Sequence, residues 1–519
     1  MHPLWYRLMF HKAGKPRGWT KLVFFRKNRT ARPLFHRVIY KKNGMIRPRW
    51  AYWSAQRLDR PSDQGLFTTH ELRPEVQPLS FAEQTLRALR PFEQTVAGWR
   101  KTAALPDLLT PDEIFARLAG LKSSGIVLSI GHDNYRVIPG GVQLCIQREE
   151  KAAITRQRTY LHLHPLQPLP CLASQREGGV LPVTLLLNGN LVGTTHMSSL
   201  TQAVERCVAA GRTVDMVVHH LMGHAPEAVA DLARAAKVRD LPFWLHDFFT
   251  LCPSYTLQRN GVAFCGAPHA ASNACGLCVF GPSRPEHLAR IATFFEALPI
   301  TAIAPSDHTA TFWSSRSNLP VRRLTTLPHV VLKETTRPMP GQGDGGAGGN
   351  AAPITVGYLG AMADHKGWPV FVNMINRFGG AAIRFVVFSD KTPNVGEDAS
   401  YKVHVTADMP DAMSRALSEA KVDVILHWAS WAETFSFTTF EAMTGGAWVL
   451  TNPVSGNVQA TVLSSGHGVV LEDEAALVAF FAGGGLEKLV AERRAHAART
   501  ETSVHNSDLT FDIPGWCKA

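Results

Sequence analysis

The chain has 519 residues and a mass of 57.0 kDa, a length that suits two to four domains. Apolar residues make up 45% and charged residues 18%, which excludes a largely disordered chain. Residues 1–60 carry a net charge of +15 and the remainder −3, so one basic extension is attached to a near-neutral body. No segment reaches the roughly 18 apolar residues needed to cross a bilayer, and no secretory signal is evident. We therefore expect a cytoplasmic protein, peripheral at most to the inner face of a membrane.

A 15-residue repeat in residues 1–60 places Phe10, Phe25 and Tyr40 at equivalent positions among basic residues. Short apolar runs and the turn dipeptide Asn43-Gly44 predict three strand–turn units, a small basic β-repeat extension. Interleaved aromatics and cations could bind single-stranded nucleic acid, an anionic membrane surface or an acidic glycan. Alternatively, the extension is solvated and packs its aromatics on the body. The near-neutral body favours a membrane surface or a glycan over nucleic acid.

Residues 61–120 are expected to form a helical connector, with a helix start at Thr110-Pro111-Asp112-Glu113. From residue 125 onward, short apolar runs alternate with helical stretches. The runs are 125–130, 159–164, 182–187, 215–220, 243–246 and 301–305, and the helical stretches are 141–153, 200–210, 226–237 and 285–297. This alternation predicts a doubly wound parallel sheet in an N-terminal domain, residues 121–334.

Residues 335–353 contain six Gly and three Pro, the composition of a linker. Gly341-x-Gly343-x-x-Gly346 within them matches a dinucleotide fingerprint only formally, because no strand precedes it and no helix follows it. Strand-type runs then resume at 354–360, 384–389, 402–405, 423–428 and 447–452. The fold class is therefore α/β, with a second Rossmann-like domain at 354–485 and a helix and tail at 486–519.

The segment 427–452 carries two carboxylates at the start of a helix. Glu433 lies on a loop after a strand that ends near Trp428, and Glu441 lies one to two turns inside a helix that starts near Ser436. Ligands of open α/β sheets bind beyond the carboxyl ends of the strands, and a helix N-terminus suits a diphosphate. Two such carboxylates could hold hydroxyl groups at both ends of an extended ligand. Alternatively, both are solvated helix charges.

The motif Glu433-TFSFTTF-Glu441, followed by Gly445-Gly446, resembles the retaining GT-B glycosyltransferases of glycosyltransferase family 4. The resemblance covers about residues 125–485 and implies two tandem Rossmann-like domains. It implies that Glu433 contacts the donor sugar, that Glu441 contacts the nucleotide ribose, and that the turn Phe435–Phe437 contacts sugar and phosphate through its backbone. The family usually has Gly where this chain has Ser436.

Glycines and one lysine extend the resemblance. Gly360 and Lys366 match the phosphate-binding loop of the donor domain, although Ala361 stands where the family has Arg. Gly140 and Gly141 at a helix start correspond to the loop that lies beneath the donor phosphates, where glycine lets backbone N–H groups approach an anion.

A His-Asp pair ends another strand of the first domain. The resemblance implies that His246 lines the reaction centre, and Asp247 accompanies it as a candidate catalytic residue. His220 and His224 are weaker candidates on the same sheet edge. A buried histidine with only a structural role is the alternative for each.

Four cysteines crowd into the loop after the His-Asp strand, with the spacing C-x12-C-x9-C-x2-C. Cys252, Cys265, Cys275 and Cys278 could form a structural zinc site, ahead of an iron–sulfur site, with His269 as a substitute ligand. Thiols without metal, or a disulfide in an oxidising compartment, are the alternatives.

The sequence therefore predicts a retaining glycosyltransferase that moves a sugar from a nucleotide-sugar donor to a glycan, lipid-linked or other glycoconjugate acceptor. A role in surface polysaccharide assembly follows from the family. No Asp-x-Asp motif stands out, so no catalytic divalent metal is expected. One rival is a catalytically degenerate GT-B scaffold that serves the basic module. Another is a nucleic-acid-binding protein with a zinc module.

Overall fold

The computed structural model describes residues 106–123, 125–166, 169–177, 179–336, 353–393 and 395–517. The predicted β-repeat of residues 1–60 and most of the helical connector and linker lie outside the described residues. Both large sheets belong to one compact unit made of residues 104–259, 263–276 and 280–519.

The described residues form 18 strands. They are β1 (Gly125–Ile130), β2 (Thr159–Pro165), β3 (Pro182–Leu187), β4 (Asn190–His196), β5 (Thr213–Val218), β6 (Leu241–Trp244), β7 (Gln258–Arg259), β8 (Ala263–Phe264), β9 (Ile300–Ala304), β10 (Arg323–Thr326), β11 (Val330–Thr336), β12 (Ile354–Leu359), β13 (Ile383–Phe388), β14 (Ala399–Tyr401), β15 (Val424–Leu426), β16 (Trp448–Thr451), β17 (Gly468–Val470) and β18 (Thr500–Asn506).

Helices lie between most of these strands. They are α1 (Pro111–Ala119), α2 (Gly141–Thr155), α3 (Met197–Ala209), α4 (Pro226–Ala235), α5 (Asn273–Gly276), α6 (Arg284–Ala297), α7 (Asp307–Arg316), α8 (Trp368–Phe378), α9 (Ala412–Glu419), α10 (Phe437–Thr444), α11 (Asn457–Ser465), α12 (Glu474–Ala482) and α13 (Gly485–Ala497). Short 3-10 turns occupy Gln175–Glu177, Asp364–Lys366 and Leu509–Asp512.

The first sheet has the strand order β10-β9-β6-β5-β1-β2-β3-β4, and the second has β14-β13-β12-β15-β16-β17. Every pair in the second sheet is parallel, and the first is parallel except for the β2–β3 and β3–β4 pairs. Strands buried on both faces, such as β1, need apolar residues throughout, which explains runs such as GIVLSI. The predicted α/β class with two parallel-type sheets is confirmed.

Two elements differ from their prediction. The run 402–405 is not a strand; the sheet edge is instead β14, three residues long and ending at Tyr401. The hairpin β3–β4 was not predicted, because β4 is polar and interrupted by Gly193, whose φ is +147°. Its turn at Asn188-Gly189 has positive φ at both residues, the conformation that tight hairpins need.

The helix-start signal before α1 is confirmed in detail. The Thr110 hydroxyl accepts a hydrogen bond from the Glu113 backbone N–H, and the Glu113 carboxylate accepts one from the Thr110 backbone N–H. Such a capping box satisfies two donors that a helix start leaves without partners.

The two sheets are joined by more than the linker. The antiparallel ribbon β11–β18 connects the residue run before the linker to the C-terminal residues. Beyond it, Leu509, Ile513 and Trp516 pack in a core cluster with Val127 of β1 and Trp244 of β6. The C-terminal residues thus return to the first sheet.

A loop that follows a strand of the second sheet also packs into the hydrophobic core of the first sheet. Ala429, Trp431 and Ala432, which follow β15, are buried in the largest core cluster of the first sheet. The Gln258 amide donates to the Ser430 hydroxyl at 2.7 Å. This packing fixes the loop that carries Glu433. Among the described helices, none is long and apolar enough to cross a membrane.

Candidate active site

The carboxyl edge of the first sheet is lined with imidazoles. Because β1, β5 and β6 are parallel neighbours, the residues that follow them meet at one edge. His219 Nδ1 lies 3.0 Å from His246 Nε2, and the His132 and His220 rings are 4.7 Å apart. Burial, with added repulsion from neighbouring histidines, lowers the pKa of His246 well below its ordinary value. The His246 imidazole is therefore neutral at pH 7.

A fully buried carboxylate orients these rings. Glu149 on α2 lies 3.0 Å from His219 Nε2 and accepts hydrogen bonds from the hydroxyls of Tyr160 and Thr510. Burial by itself raises the pKa of Glu149, but these neighbours, His219 first, outweigh it and hold that pKa below its ordinary value. An ionised Glu149 can only accept, so His219 donates to it from Nε2. The carboxylate therefore fixes the orientation of the His219 ring, whose Nδ1 faces His246.

Asp247 and the two weaker histidine candidates are engaged in loop structure. Asp247 accepts hydrogen bonds from the Phe249 backbone N–H at 2.8 Å and from His220 Nε2 at 2.8 Å. His224 Nε2 donates to the Gly131 carbonyl at 2.7 Å. These contacts hold the loops after β1, β5 and β6 together.

The carboxyl edge of the second sheet carries charges. Lys366 lies 2.6 Å from Glu433 Oε1, and the Trp431 indole donates to the same oxygen at 2.9 Å. Gly360, the residue after β12, has a φ of +92°, a left-handed conformation that favours glycine. Glu433 is almost completely buried while Lys366 is partly exposed, so the pair is reached by solvent from the lysine side.

Thr434, the residue after Glu433, is hydrogen-bonded to residues that follow strands of the first sheet. The Thr434 hydroxyl donates to the His246 carbonyl, and the Thr434 carbonyl accepts from the hydroxyls of Ser306 at 2.7 Å and Thr309 at 2.9 Å. The charged edge of one sheet and the imidazole edge of the other therefore face one cleft.

Two helix N-termini meet at this cleft. Ser436 is the N-cap of α10, as predicted, and Gly140 is the N-cap of α2; no side chain caps either helix within the described part of the chain. A Cβ on Gly141 would lie 3.5 Å from the Phe437 ring, so the first turns of the two helices are close. Uncapped N-termini leave backbone N–H groups and the positive ends of two helix dipoles for an anion.

Hydroxyls and an imidazole surround the start of α10. Ser436 Oγ lies 3.0 Å from His427 Nε2 and 3.0 Å from each of the Thr438 and Thr439 hydroxyls. The Ser436 side chain thus anchors the turn sideways. Phe435 is buried against Phe440 in a stacked pair.

Glu441 lies near the positive charge of Arg148 on helix α2. The Arg148 guanidinium on α2 lies 5.1 Å from the centre of the Phe437 ring, and its Nη1 is buried with no hydrogen-bond partner among the described residues. Burial raises the pKa of Glu441 to about 7, against the opposing effect of Arg148. A poorly solvated guanidinium and a carboxyl group that titrates near neutrality therefore share the cleft.

His329 closes the cleft behind Phe437. Its ring stacks on Phe437 at 5.4 Å with an interplanar angle of 12°, and lies 5.4 Å from the His246 ring. Burial lowers the pKa of His329 to about 3. Cys145, His246 and His329 each place a possible metal-ligand atom within 4.8 Å of the other two.

The four loop cysteines do not appear in any such group. Cys275 Sγ lies 2.9 Å from Arg284 Nη1, and Cys252 is buried. Within the described residues, the two groups of three or more close His, Cys, Asp or Glu ligand atoms contain neither these thiols nor those of Cys265 and Cys278. The structural zinc site stays a prediction.

The structure brings most of the predicted site residues to one cleft, and adds others. The sequence did not point to Cys145, Arg148, Glu149, His329 or Trp431. Arg148 and Glu149 occupy α2, the helix that begins at the predicted Gly140-Gly141 turn. The sequence signal that could have identified both residues is their charge, about two turns after the predicted start of the helix.

No protein-family model matches the sequence, and no curated protein matches it. Among solved structures, HepE of Anabaena in complex with UDP-glucose is 11% identical, covering 72% of this chain and 94% of that chain, with a TM-score of 0.42. WaaG, a glycosyltransferase involved in lipopolysaccharide biosynthesis, is 14% identical, with coverages of 72% and 95% and a TM-score of 0.39. A UDP-forming alpha,alpha-trehalose-phosphate synthase from Burkholderia vietnamiensis is 13% identical, with coverages of 72% and 94% and a TM-score of 0.41. At such low identity, the chemistry of this chain has to be inferred from its own residues.

Proposed function

We propose that this protein is a retaining glycosyltransferase that moves a hexosyl group from a nucleotide-sugar donor to a hydroxyl group of a glycan or lipid-linked acceptor. The observation that carries the proposal is the meeting of the uncapped N-termini of α2 and α10 in one cleft. That cleft also holds the carboxylates Glu433 and Glu441 and the cations Lys366 and Arg148. An elongated ligand with a central diphosphate and hydroxyl groups at both ends matches this arrangement.

The donor diphosphate would bind at the two helix starts. Backbone N–H groups and aligned peptide dipoles favour an anion there. Gly141 lies within van der Waals reach of Phe437, so both helix starts can contact the same diphosphate. Glu441, which lies in α10 five residues after Ser436, would accept hydrogen bonds from the ribose hydroxyls.

The donor sugar would lie between the two sheet edges. Glu433 and Lys366 form a preorganised acceptor and donor for its hydroxyls, held by the Trp431 indole. On the opposite side the His246 ring, whose pKa is lowered by burial, is held against His219 and can make a hydrogen bond to the sugar without adding charge. Fixed groups of this kind need little reorganisation as the reaction proceeds.

The proposed reaction makes and breaks one bond each at the anomeric carbon. The bond to the diphosphate oxygen breaks, the bond to the acceptor oxygen forms on the same face, and the acceptor proton passes to the leaving diphosphate. The protein forms no covalent bond in this scheme. It positions the reactants and stabilises the charge that grows on the diphosphate.

We place this activity in the cytoplasm, in the assembly of surface polysaccharide or a related glycoconjugate. The basic residues 1–60 would hold the enzyme at an anionic membrane surface or an acidic glycan. The charge difference between that extension and the rest of the chain supports this assignment.

The test is nucleotide release by the purified protein from a panel of UDP-, GDP-, ADP- and dTDP-sugars, first without an acceptor. Release from one donor, strongly reduced in Glu441→Ala and Lys366→Ala, is expected. The exposed residues Glu419 and Lys402 provide matched controls, since their Ala variants should behave as the wild type. Unchanged donor use in both site variants would contradict the proposed donor pocket.

A binding scaffold without turnover is the second candidate, and Ala361 favours it. The family places an Arg at this position, whereas here the Ala361 carbonyl accepts a hydrogen bond from the Tyr358 hydroxyl at 2.6 Å. The loop therefore offers one cation, Lys366, where the family pattern has two. Thermal stabilisation by a nucleotide sugar without any release, with acceptors present, would support the scaffold over the enzyme.

A further inference from the structure

A second group of possible metal ligands lies away from the cleft, at the side of the β11–β18 ribbon. Glu334 of β11, His467 just before β17 and His496 in the last turn of α13 each place a ligand atom within 4.8 Å of the other two. Glu334 Oε1 lies 2.7 Å from His467 Nε2 and 3.7 Å from His496 Nε2. Three elements distant in the sequence thus direct one carboxylate and two imidazoles to one point.

The ring nitrogens at this point are incompletely satisfied. His467 is only 3% exposed, and its Nδ1 makes no hydrogen bond within the described residues, whereas its Nε2 is paired with the Glu334 carboxylate at 2.7 Å. His496 Nε2 is buried 3.7 Å from the same carboxylate oxygen and makes no hydrogen bond in the described part of the chain. A buried polar atom without a partner is unfavourable and calls for an explanation. A shared cation would satisfy both imidazoles and the carboxylate at once.

The ligand set selects the class of ion. Two imidazoles and one carboxylate suit Zn²⁺ and its neighbours Co²⁺ and Ni²⁺, whereas Mg²⁺ and Ca²⁺ prefer oxygen ligands alone. Glu334 is 44% exposed, so water can complete the coordination from the solvent side.

An aromatic residue supports the site from below. The Trp448 indole stacks on the His467 ring at 5.8 Å with an interplanar angle of 13°, and also lies 5.9 Å from the His496 ring. The two imidazoles are 4.8 Å apart at 68° to each other, so their edges converge and their faces do not stack. Packing against Trp448 would limit the loss of side-chain freedom when an ion binds.

We propose that Glu334, His467 and His496 form a binding site for one divalent transition-metal ion of the Zn²⁺ class, which joins the β11–β18 ribbon to the second sheet. The opposite part of the ribbon already packs on α10, where Val330 lies in one cluster with Phe435 and Phe440. The ion therefore holds the ribbon at one end while apolar contacts hold it at the other. This inference is independent of the proposed glycosyltransferase activity.

The test uses the full-length protein, treated with chelator and without an affinity tag. Zn²⁺ binding is measured by titration calorimetry, and Co²⁺ binding by its visible absorption. The wild type should bind one equivalent more than His496→Ala and Glu334→Gln, and its melting temperature should rise with Zn²⁺ by more than theirs. Each ligand variant should weaken this site by more than about 10-fold.

Matched controls separate this site from other metal-binding residues. His505→Ala and Glu472→Gln change an exposed histidine on the ribbon and an exposed glutamate nearby in sequence, and both should bind as the wild type does. Zinc at the predicted cysteine site would persist in every variant. Because Glu334 and His496 are partly exposed, their variants should fold even where the buried His467 cannot be replaced.

Equal binding by the wild type and both ligand variants would overturn the proposal. So would binding by the wild type that is weaker than about 1 mM, the range of adventitious contacts. If Glu334 and His467 form only an ion pair and hold no metal, such weak binding is the expected result. Nucleotide release is not a readout here, so failure of the glycosyltransferase proposal would leave the metal result intact.

Discussion

The two sheets present chemically different edges to the same cleft. The first edge is lined with imidazoles, and burial lowers the pKa of three of them, to about 3 for His132 and His329 and well below the ordinary value for His246. The second edge holds the Lys366–Glu433 ion pair and the carboxyl group of Glu441. One edge therefore consists mainly of buried imidazoles, whereas the other carries a solvent-accessible ion pair.

The difference indicates a division of roles. A buried network such as Glu149–His219–His246 fixes geometry, and the neutral His246 ring at its end can make an uncharged hydrogen bond next to a sugar. A charged edge next to two helix N-termini suits a ligand with a diphosphate and hydroxyl groups. Changes at the first edge should alter folding and orientation, and changes at the second should alter donor use. Each prediction tests one side of this contrast.

The largest expected effect is a loss of folding stability on replacing Glu149 at the imidazole edge of the first sheet. Glu149→Ala should lower the free energy of unfolding by about 3–5 kcal/mol, because His219, Tyr160 and Thr510 lose a buried partner. Since the pKa of Glu149 is held low in the fold, its stabilisation is present at neutral pH and is lost as the pH falls below about 4.5. Urea unfolding at pH 7 measures the change, with the exposed Glu205→Ala as control. A loss below about 1 kcal/mol would show that the network is not anchored by this carboxylate.

At the charged edge, Lys366→Ala and Glu433→Gln should each lower donor turnover by about 10²–10³-fold. Each removes one partner of an ion pair and leaves the other charge poorly compensated. Steady-state nucleotide release gives the values, and the double variant should lose less than the sum of the two free energies. Full additivity would mean that the two groups act separately.

Glu441 gives the charged edge a pH dependence. Its pKa is raised from 4.5 to about 7, so the fold holds this proton more tightly than the unfolded chain does. Stability from this group is therefore highest at acid pH and decreases by roughly 3 kcal/mol as the pH rises through 7. Glu441→Gln removes the effect, so the variant should gain stability relative to the wild type between pH 5 and pH 8. A constant difference between the two proteins across that range would place the carboxyl in ordinary solvent.

Ser436→Gly should have the smallest effect. It removes the hydroxyl that contacts His427, Thr438 and Thr439. We expect a stability loss of about 1 kcal/mol and a change in donor kcat/KM below about 10-fold. Thermal unfolding and competition between two donor sugars measure these quantities. A loss of turnover as large as that of Lys366→Ala would make Ser436 a site residue in its own right.

The sequence predicted the elements whose pattern is local. Buried parallel strands such as β1 and β9 are mostly apolar, and α10 begins near Ser436 as predicted. The β11–β18 ribbon could not be foreseen, because its strands are polar and pair residues about 170 positions apart. The run 402–405 has strand composition, but the edge strand of the sheet is β14, which pairs with β13.

The same distinction applies to the site. Glu433, Glu441 and Lys366 belong to motifs that can be read along the chain. Arg148 and His329 become site residues only because α2 and the segment before β11 meet the start of α10. Such contacts between distant segments leave no regular spacing in the sequence.

Hydrogen–deuterium exchange of the full-length protein, with and without a saturating nucleotide sugar, tests most directly whether the donor binds between the two helix starts. We expect protection confined to residues 139–148 and 433–444, the starts of the two facing helices, together with the loop around Lys366. Protection elsewhere, with these segments unchanged while the ligand is bound, would show that the donor does not bind at the helix starts.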